Sequence, residues 1–395
     1  MAEDDSAAST HARPAAHLAV DARMVRHSGI GTYLRHLVPR LVAARPAWRF
    51  TILGPVEELR ALGWAAWPNA TLVDCRVPIY SVSEQLSLPR LVPADVQLFW
   101  TPHYVIPLLL GRRMLVTVQD VFHLAMPELV GGVVRRTYAR VMFGAVRRRA
   151  SRVLFTSDFT RREFTRLAGA PSAPTDVVPL GVDASWGSVD RPGHASPPYL
   201  LYAGNVKPHK NVAALVRAFL TVADAVPHDL VIVGRTEGMR TADHEVARLA
   251  ASSGGRVRVV GEVSDASLRQ WMGGADAFAF PSLYEGFGLP PLEAMAAGVP
   301  CLVSRSASLP EVCGDAALYC DAHDERDIAA RLLELLTDEP LRDRLRVRGR
   351  EHAARFPWDR CAQGTLRVIE ETLAARRGSC WPAVPGRGCI RSPRS

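Results

Sequence analysis

Short apolar segments closed by turn residues alternate, along almost the whole chain, with segments whose apolar residues recur at helical spacing. "HLAVDAR", "RFTILG", "QLFWTP", "RRMLVTVQD", "SRVLFTS" and "TDVVPL" are strand-like, and "GTYLRHLVPRLVAAR" is helix-like. Beyond residue 198 the rhythm restarts with "YLLYAG", the helical "NVAALVRAFLTVADAV", then "DLVIVG", "RVRVVG", "AFAFPS" and "PCLVS". This alternation specifies parallel sheets covered by helices on both faces, an α/β class. At 395 residues the chain is long enough for two such domains. The stretch 183–198, "DASWGSVDRPGHASPP", lacks periodicity and is the expected linker. The expected domains are 17–185 and 196–356, with disordered ends at 1–16 and 378–395. Ligands of doubly wound sheets collect beyond the carboxyl ends of strands, so functional motifs should follow strands directly.

Composition narrows the partners. Forty-eight Lys and Arg against 40 Asp and Glu give a formal charge of +8, which favours anionic ligands such as phosphates. No zinc-finger spacing, RGG tract or RNP-like aromatic pattern accompanies the charge, so a nucleic acid is not the expected partner. The seven cysteines (75, 301, 313, 320, 361, 380, 389) form no C-x-x-C pair and read as reduced thiols. "MAEDDSAASTHARPAA" lacks the basic-then-apolar order of a signal peptide, and "VIPLLL" at 105–110 is too short for a membrane span. The expected location is cytoplasmic.

Four motifs follow strand-like segments. "FPSLYEGFGLPPLEAMAAGVP", 280–300, sets Glu285 in a loop and Glu293 in the first turn of a helix expected to start at Pro290 or Pro291. The amides of Phe287, Gly288 and Leu289 then lie near a helix N-terminus, a natural anion site, and the glycines imply a close backbone approach. A plain helix-dipole role for Glu293 would leave those glycines unexplained. "YLLYAGNVKPHKN" ends a strand at Gly204 and sets Asn205 and Lys210 before a helix, where a cation opposes the helix dipole unless an anion binds. In "DARMVRHSGIGTYLRHL", Gly29 and Gly31 join strand to helix, but Leu34 stands where a dinucleotide fingerprint needs its third glycine. "TVQDVFHLAMPELV" places His123 in a loop shared with Asp120. No D-x-D pair, G-x-S-x-G elbow or P-loop is present, so neither a metal bridging a diphosphate nor hydrolase or P-loop chemistry is expected.

"EGFGLPPLE" resembles the E-x7-E element of retaining GT-B glycosyltransferases of family 4, the glycosyl transferases group 1 class. "AMAAGVPCLVS", "SLPEVCGDAALY", "SGIGTY" and "TSDFTRREF" are similar to other segments of that family, and the "PHKN" form resembles its bacterial mannosyltransferase branch. The resemblance implies two Rossmann-like domains facing a cleft, with the acceptor on the first and the nucleotide sugar on the second. "FPWDRCAQGTLRVIEETL" resembles the family's last helical segment, which implies that 357–376 completes the first domain. It further implies that Glu285 contacts the transferred sugar, Glu293 the nucleotide ribose and Lys210 the diphosphate. His123 would lie near the reacting carbon, with Gly29, Gly31, Gly204 and Asn205 around the phosphates. The implied donor is a nucleoside diphosphate sugar, GDP-mannose favoured and UDP- or dTDP-sugars open; the acceptor is a hydroxyl on a saccharide, lipid-linked sugar or natural product. Thr32 and Asn205 stand where many members carry arginine, which keeps open a non-catalytic nucleotide-sugar-binding protein of the same fold. The run 135–151 is a basic amphipathic helix, read as a solvated face with peripheral membrane contact as the sharper alternative.

Overall fold

The computed structural model describes residues 15–188, 197–235 and 242–375. The expected tail 378–395, residues 1–14 of the expected disordered N-terminus and residues 189–196 of the expected linker therefore lie outside the described residues. Two sheets organise the chain. The first contains β1 (His17–Asp21), β2 (Arg49–Gly54), β3 (Ala70–Asp74), β4 (Leu98–Thr101), β5 (Arg113–Val118), β6 (Arg152–Phe155) and β7 (Thr175–Val177), in the order β3-β2-β1-β4-β5-β6-β7. The second contains β8 (Tyr199–Ala203), β9 (Asp229–Val233), β10 (Val257–Gly261), β11 (Ala277–Phe280), β12 (Cys301–Ser304) and β13 (Leu318–Cys320), in the order β10-β9-β8-β11-β12-β13. Every pairing is parallel. Central strands are buried throughout, as "LAV", "LFWT", "YLLYA" and "AFAF" require of sheets covered on both faces.

In each sheet the winding direction reverses at one place, between β1 and β4 and between β8 and β11. Adjacent loops diverge there to opposite faces and leave a crevice. The loops leaving those four strands carry Gly29, His103, the segment from Gly204 to Lys210, and Glu285 respectively. Topology alone thus gathers most of the candidate residues.

The last helix, Trp358–Ala374, packs on the first sheet's opening helix, Ile30–Ala44. His36 stacks on Trp358 with ring centroids 4.6 Å apart, Arg40 pairs with Asp359 at 2.7 Å, and Arg113 Nη1 donates to the Thr372 carbonyl at 2.8 Å. The two chain crossings between the sheets run side by side. The Val182 amide donates to the Phe356 carbonyl at 2.7 Å, and Val182 forms a parallel bridge with Pro357. Among the described residues no helix is long and apolar enough to cross a membrane.

Candidate active site

The floor of the cleft belongs to the second sheet. After β8 the chain passes Gly204 (φ 148°) and forms a short 3-10 turn, Pro208–Lys210, before Asn211 adopts a left-handed conformation and the helix Val212–Val222 begins. Lys210 therefore does not sit on the helix itself but on the turn preceding it. Its Nζ lies 2.5 Å from Glu285 Oε1, and both side chains are largely buried. A lysine–glutamate pair placed so, after the two strands that flank the switch point, couples the loops that leave β8 and β11.

Lys207 points to the same place. Burial lowers its pKa, the nearby Lys210 lowers it further, and Asp120 and Glu285 act in the opposite direction. Burial likewise pushes His209 far below the usual imidazole range, assisted by Lys210 and Lys207, so it is neutral at pH 7. Two lysines thus converge where, among the described residues, Glu285 is the carboxylate directly paired with one of them.

The helix after β11 spans Leu289–Ala296, one or two residues earlier than the prolines alone suggest. Glu293 is consequently at its fifth position rather than in the first turn, where the helix dipole would have given it a purely structural purpose. Burial raises the Glu293 pKa to about 7, with Asp265 adding to the rise and Arg269 opposing it. A carboxylate poised between charged and neutral suits hydrogen bonding to hydroxyl groups.

The glycines of this loop serve different ends. A Cβ on Gly286 would lie 2.0 Å from the Gln119 carbonyl oxygen of the first domain. The Gly286 carbonyl accepts hydrogen bonds from the hydroxyls of Ser157 (2.7 Å) and Thr160 (2.9 Å). The close backbone approach expected of a ligand is made here by the facing domain. Gly288 has φ 117°, a conformation that favours glycine, and N-caps the helix; the Glu285 and Phe287 carbonyls share the Ser308 hydroxyl, at 2.9 and 2.7 Å. Leu289 opens the helix and is nearly buried.

Across the cleft, Gly29 has φ 74° and nothing within 4 Å of where a Cβ would stand, so its backbone faces open space. Gly31 is different: a Cβ there would meet the Val25 carbonyl oxygen at 2.4 Å, so its smallness serves the turn's own packing. Asn205 Nδ2 donates to Ser28 Oγ at 3.1 Å and ties the two glycine loops together. His123 lies not in an open loop but in a one-turn helix, Phe122–Ala125, capped by Asp120 Oδ1 accepting from the Phe122 amide at 2.9 Å. Burial lowers the His123 pKa, Asp120 partly offsets this, and its Nδ1 is buried without a hydrogen-bond partner. Phe122 reaches across to His209, with ring centroids 4.4 Å apart.

The structure therefore brings Gly29, Asn205, Lys210, Glu285 and His123 to one cleft. Sequence reading missed the groups that hold it. Within "TSDFTRREF", Ser157 and Thr160 grip the Glu285 loop through the Gly286 carbonyl. Glu311 of "SLPEVCGDAALY" accepts the Asp158 and Phe159 amides at 2.6 and 2.7 Å, capping a helix of the other domain. Only the Ser157-x-x-Thr160 cap pattern is visible locally; its second use across the cleft has no local signal.

Residues 190–352 match the family model "Glycosyl transferases group 1". The chain is 33% identical over 232 residues to O-antigen chain mannosyltransferase B of Escherichia coli, covering 55% of this chain and 60% of that protein. It is 28% identical over 286 residues to O-antigen chain mannosyltransferase RfbU of Salmonella typhimurium, covering 72% and 76%. The Anabaena protein HepE in complex with UDP-glucose superposes with a TM-score of 0.71 at 15% identity, over 90% of this chain and 99% of that one. The fold is that of the GT-B glycosyltransferases. Residues 190–352, less than half of the chain, are similar to the glycosyl transferases group 1 family, and the chain spans less than two thirds of the Escherichia coli relative's length.

Proposed function

We propose that the protein is a retaining hexosyltransferase that moves mannose from GDP-mannose to an acceptor hydroxyl in polysaccharide, glycolipid or natural-product synthesis. The carrying observation is the Lys210–Glu285 pair at the switch point of the second sheet, with Glu293 on the next helix. A donor diphosphate takes over Lys210, with Lys207 beside it, and frees Glu285 to accept from the hydroxyls of the sugar. Glu293 accepts from the ribose hydroxyls. Charge developing on the leaving diphosphate is met by fixed cations and amides, the kind of interaction that contributes most when preorganised. A double-displacement route would need a nucleophile on the reactive face of the sugar; front-face attack, with the donor phosphate helping to take the acceptor proton, uses the residues present. Mannose is favoured by the mannosyltransferases among the relatives, and UDP- or dTDP-sugars are the alternatives. In this reading the protein is cytoplasmic, needs no metal, and meets the inner membrane face, if at all, through the helix Val133–Arg149, which contains no acidic residue.

Thermal stabilisation by GDP, UDP, dTDP and ADP, followed by transfer assays with the matching sugars with and without EDTA, tests the reading. One nucleotide should stabilise, Glu285→Ala should reduce turnover at least about 100-fold while leaving nucleotide binding in place, and EDTA should change nothing. NMR of the product anomer tests retention. Stabilisation without turnover for any acceptor would favour the non-catalytic binding protein, and no stabilisation by any of the four would refute a nucleotide-sugar site.

A further inference from the structure

Tyr80 has φ 67°, one of three non-glycine residues with positive φ among those described. Asn211, another of the three, belongs to a residue type that visits this region readily; a tyrosine does not. The conformation is held from beneath. The Tyr80 amide donates to Glu84 Oε2 at 3.0 Å. Glu84 is fully buried and takes Arg23 Nη2 on its other oxygen at 2.6 Å, while Arg23 grips Asp21 through Nε (2.8 Å) and Nη2 (2.7 Å). A buried Asp–Arg–Glu relay thus fixes one strained residue, and strain maintained so firmly marks a position where the side chain's direction matters.

The tyrosine as a whole is 46% exposed. His103 meets it edge-on at 5.6 Å and Tyr138 at 6.0 Å, and His123 lies 6.2 Å away. His103 Nδ1 accepts the Val105 amide, so its Nε2 carries the proton and donates to the Tyr80 hydroxyl at 3.2 Å. The ring is therefore locked and flanked by rings at its edges, in a residue that is still partly exposed to solvent. In the same cluster the Tyr138 hydroxyl and His123 Nδ1 are buried and have no hydrogen-bond partner. An aromatic face beside unpaired polar atoms suits a sugar ring, whose C–H face packs on the aromatic while its hydroxyls reach the polar atoms. An alkyl chain would leave both atoms unpaired.

We propose that Tyr80 is the stacking platform for a pyranose ring of the acceptor, so that the acceptor is a saccharide at its reacting end. The proposal rests on the glycosyltransferase reading and names the acceptor class for its cleft. Tyr80 then determines specificity from the first domain, beside His123.

The test uses the full chain, with methyl α-mannopyranoside and methyl α-glucopyranoside as probes, observed by saturation-transfer NMR in the presence of the nucleotide that stabilises the protein. At least one probe should bind wild type, with the signal reduced at least about fivefold in Tyr80→Ala and retained in Tyr80→Phe and Tyr80→Trp. Nucleotide-induced stabilisation should be equal in all four proteins, which also verifies folding. An undiminished signal in Tyr80→Ala would overturn the platform. Nucleotide binding with no response from either sugar, or a response only to an anionic probe such as mannose 6-phosphate, would overturn the saccharide assignment while leaving the donor site intact. Absence of nucleotide binding in wild type would instead remove the reading beneath it.

Discussion

Glu293 offers the sharpest quantitative test of the donor site. Burial raises its pKa from the ordinary 4.5 to about 7. At about 1.4 kcal/mol per pH unit, that rise is worth at most about 3 kcal/mol in favour of the neutral form, less for a side chain that is only partly shielded from water. The folded pKa lies above the unfolded one, so the stability linked to this group is complete below about pH 4.5 and is lost as pH rises through about 7. In the proposed function two ribose hydroxyls donate to this carboxylate, which would favour its charged form and lower its pKa on binding. Donor affinity should therefore increase with pH. With a pKa near 7 the ionised fraction grows from about a tenth at pH 6 to about nine-tenths at pH 8, so GDP-mannose should bind about tenfold tighter at the upper value. A nucleotide sugar is the right ligand, since it lacks the terminal phosphate that would titrate in the same range. Calorimetry at about pH 6.5 in buffers of different ionisation enthalpy should register proton release. Glu293→Gln should abolish both the release and the slope. Equal pH dependence in the variant, or none in wild type, would refute the role given to Glu293.

Three further outcomes follow from contacts described above. Gly286→Ala places a methyl group against the Gln119 carbonyl, so small-angle scattering should show a larger radius of gyration and turnover should fall; an unchanged radius would show that the domains are not held together there. Glu311→Gln removes a carboxylate from a helix N-terminus and should cost about 1 kcal/mol in urea unfolding, an effect that high salt diminishes. Arg23→Ala leaves Asp21 and Glu84 as uncompensated buried acids and should cost about 3–5 kcal/mol by the same measurement.

The central strands were legible because full burial in a parallel sheet demands runs such as "LFWT" and "YLLYA". Of the edge strands, β7 and β10 fall within "TDVVPL" and "RVRVVG", but β3 and β13 were not legible. β3, "ATLVD", is half exposed along its length, and β13 has only three residues, so neither carries a run or alternation long enough to stand out from a loop. That Glu285 and Lys210 follow strands, and that Glu293 lies on the next helix, was legible from the turn residues, although the position of Glu293 within that helix was not. What escaped was the use of one residue by the other domain. Gly286 looked like a window for a ligand but is a seat for Gln119, and Gly31 is a seat for Val25. A glycine announces that something comes close without saying what does. Tyr80 escaped for a related reason: its strain comes from Glu84, Arg23 and Asp21, distributed over some sixty positions that no local pattern connects.

The bridge between Val182 and Pro357 makes the second domain an insertion rather than a successor. Its two ends leave the first domain at neighbouring points, close enough for the Val182 amide to reach the Phe356 carbonyl. A Cβ on Gly181 would collide with Trp358 Cα at 2.5 Å, so the two strokes of chain are pressed together without space for slack. Cutting the gene between the sheets would consequently strip the N-terminal fragment of Trp358–Ala374, the helix against which Tyr33 and His36 pack. Excision is the better dissection: residue 182 spliced to residue 357 through a few flexible residues should give a folded first domain, and 197–356 alone a second domain on which the proposed nucleotide binding can be tested by itself. Partners for one half could then be exchanged without rebuilding the other.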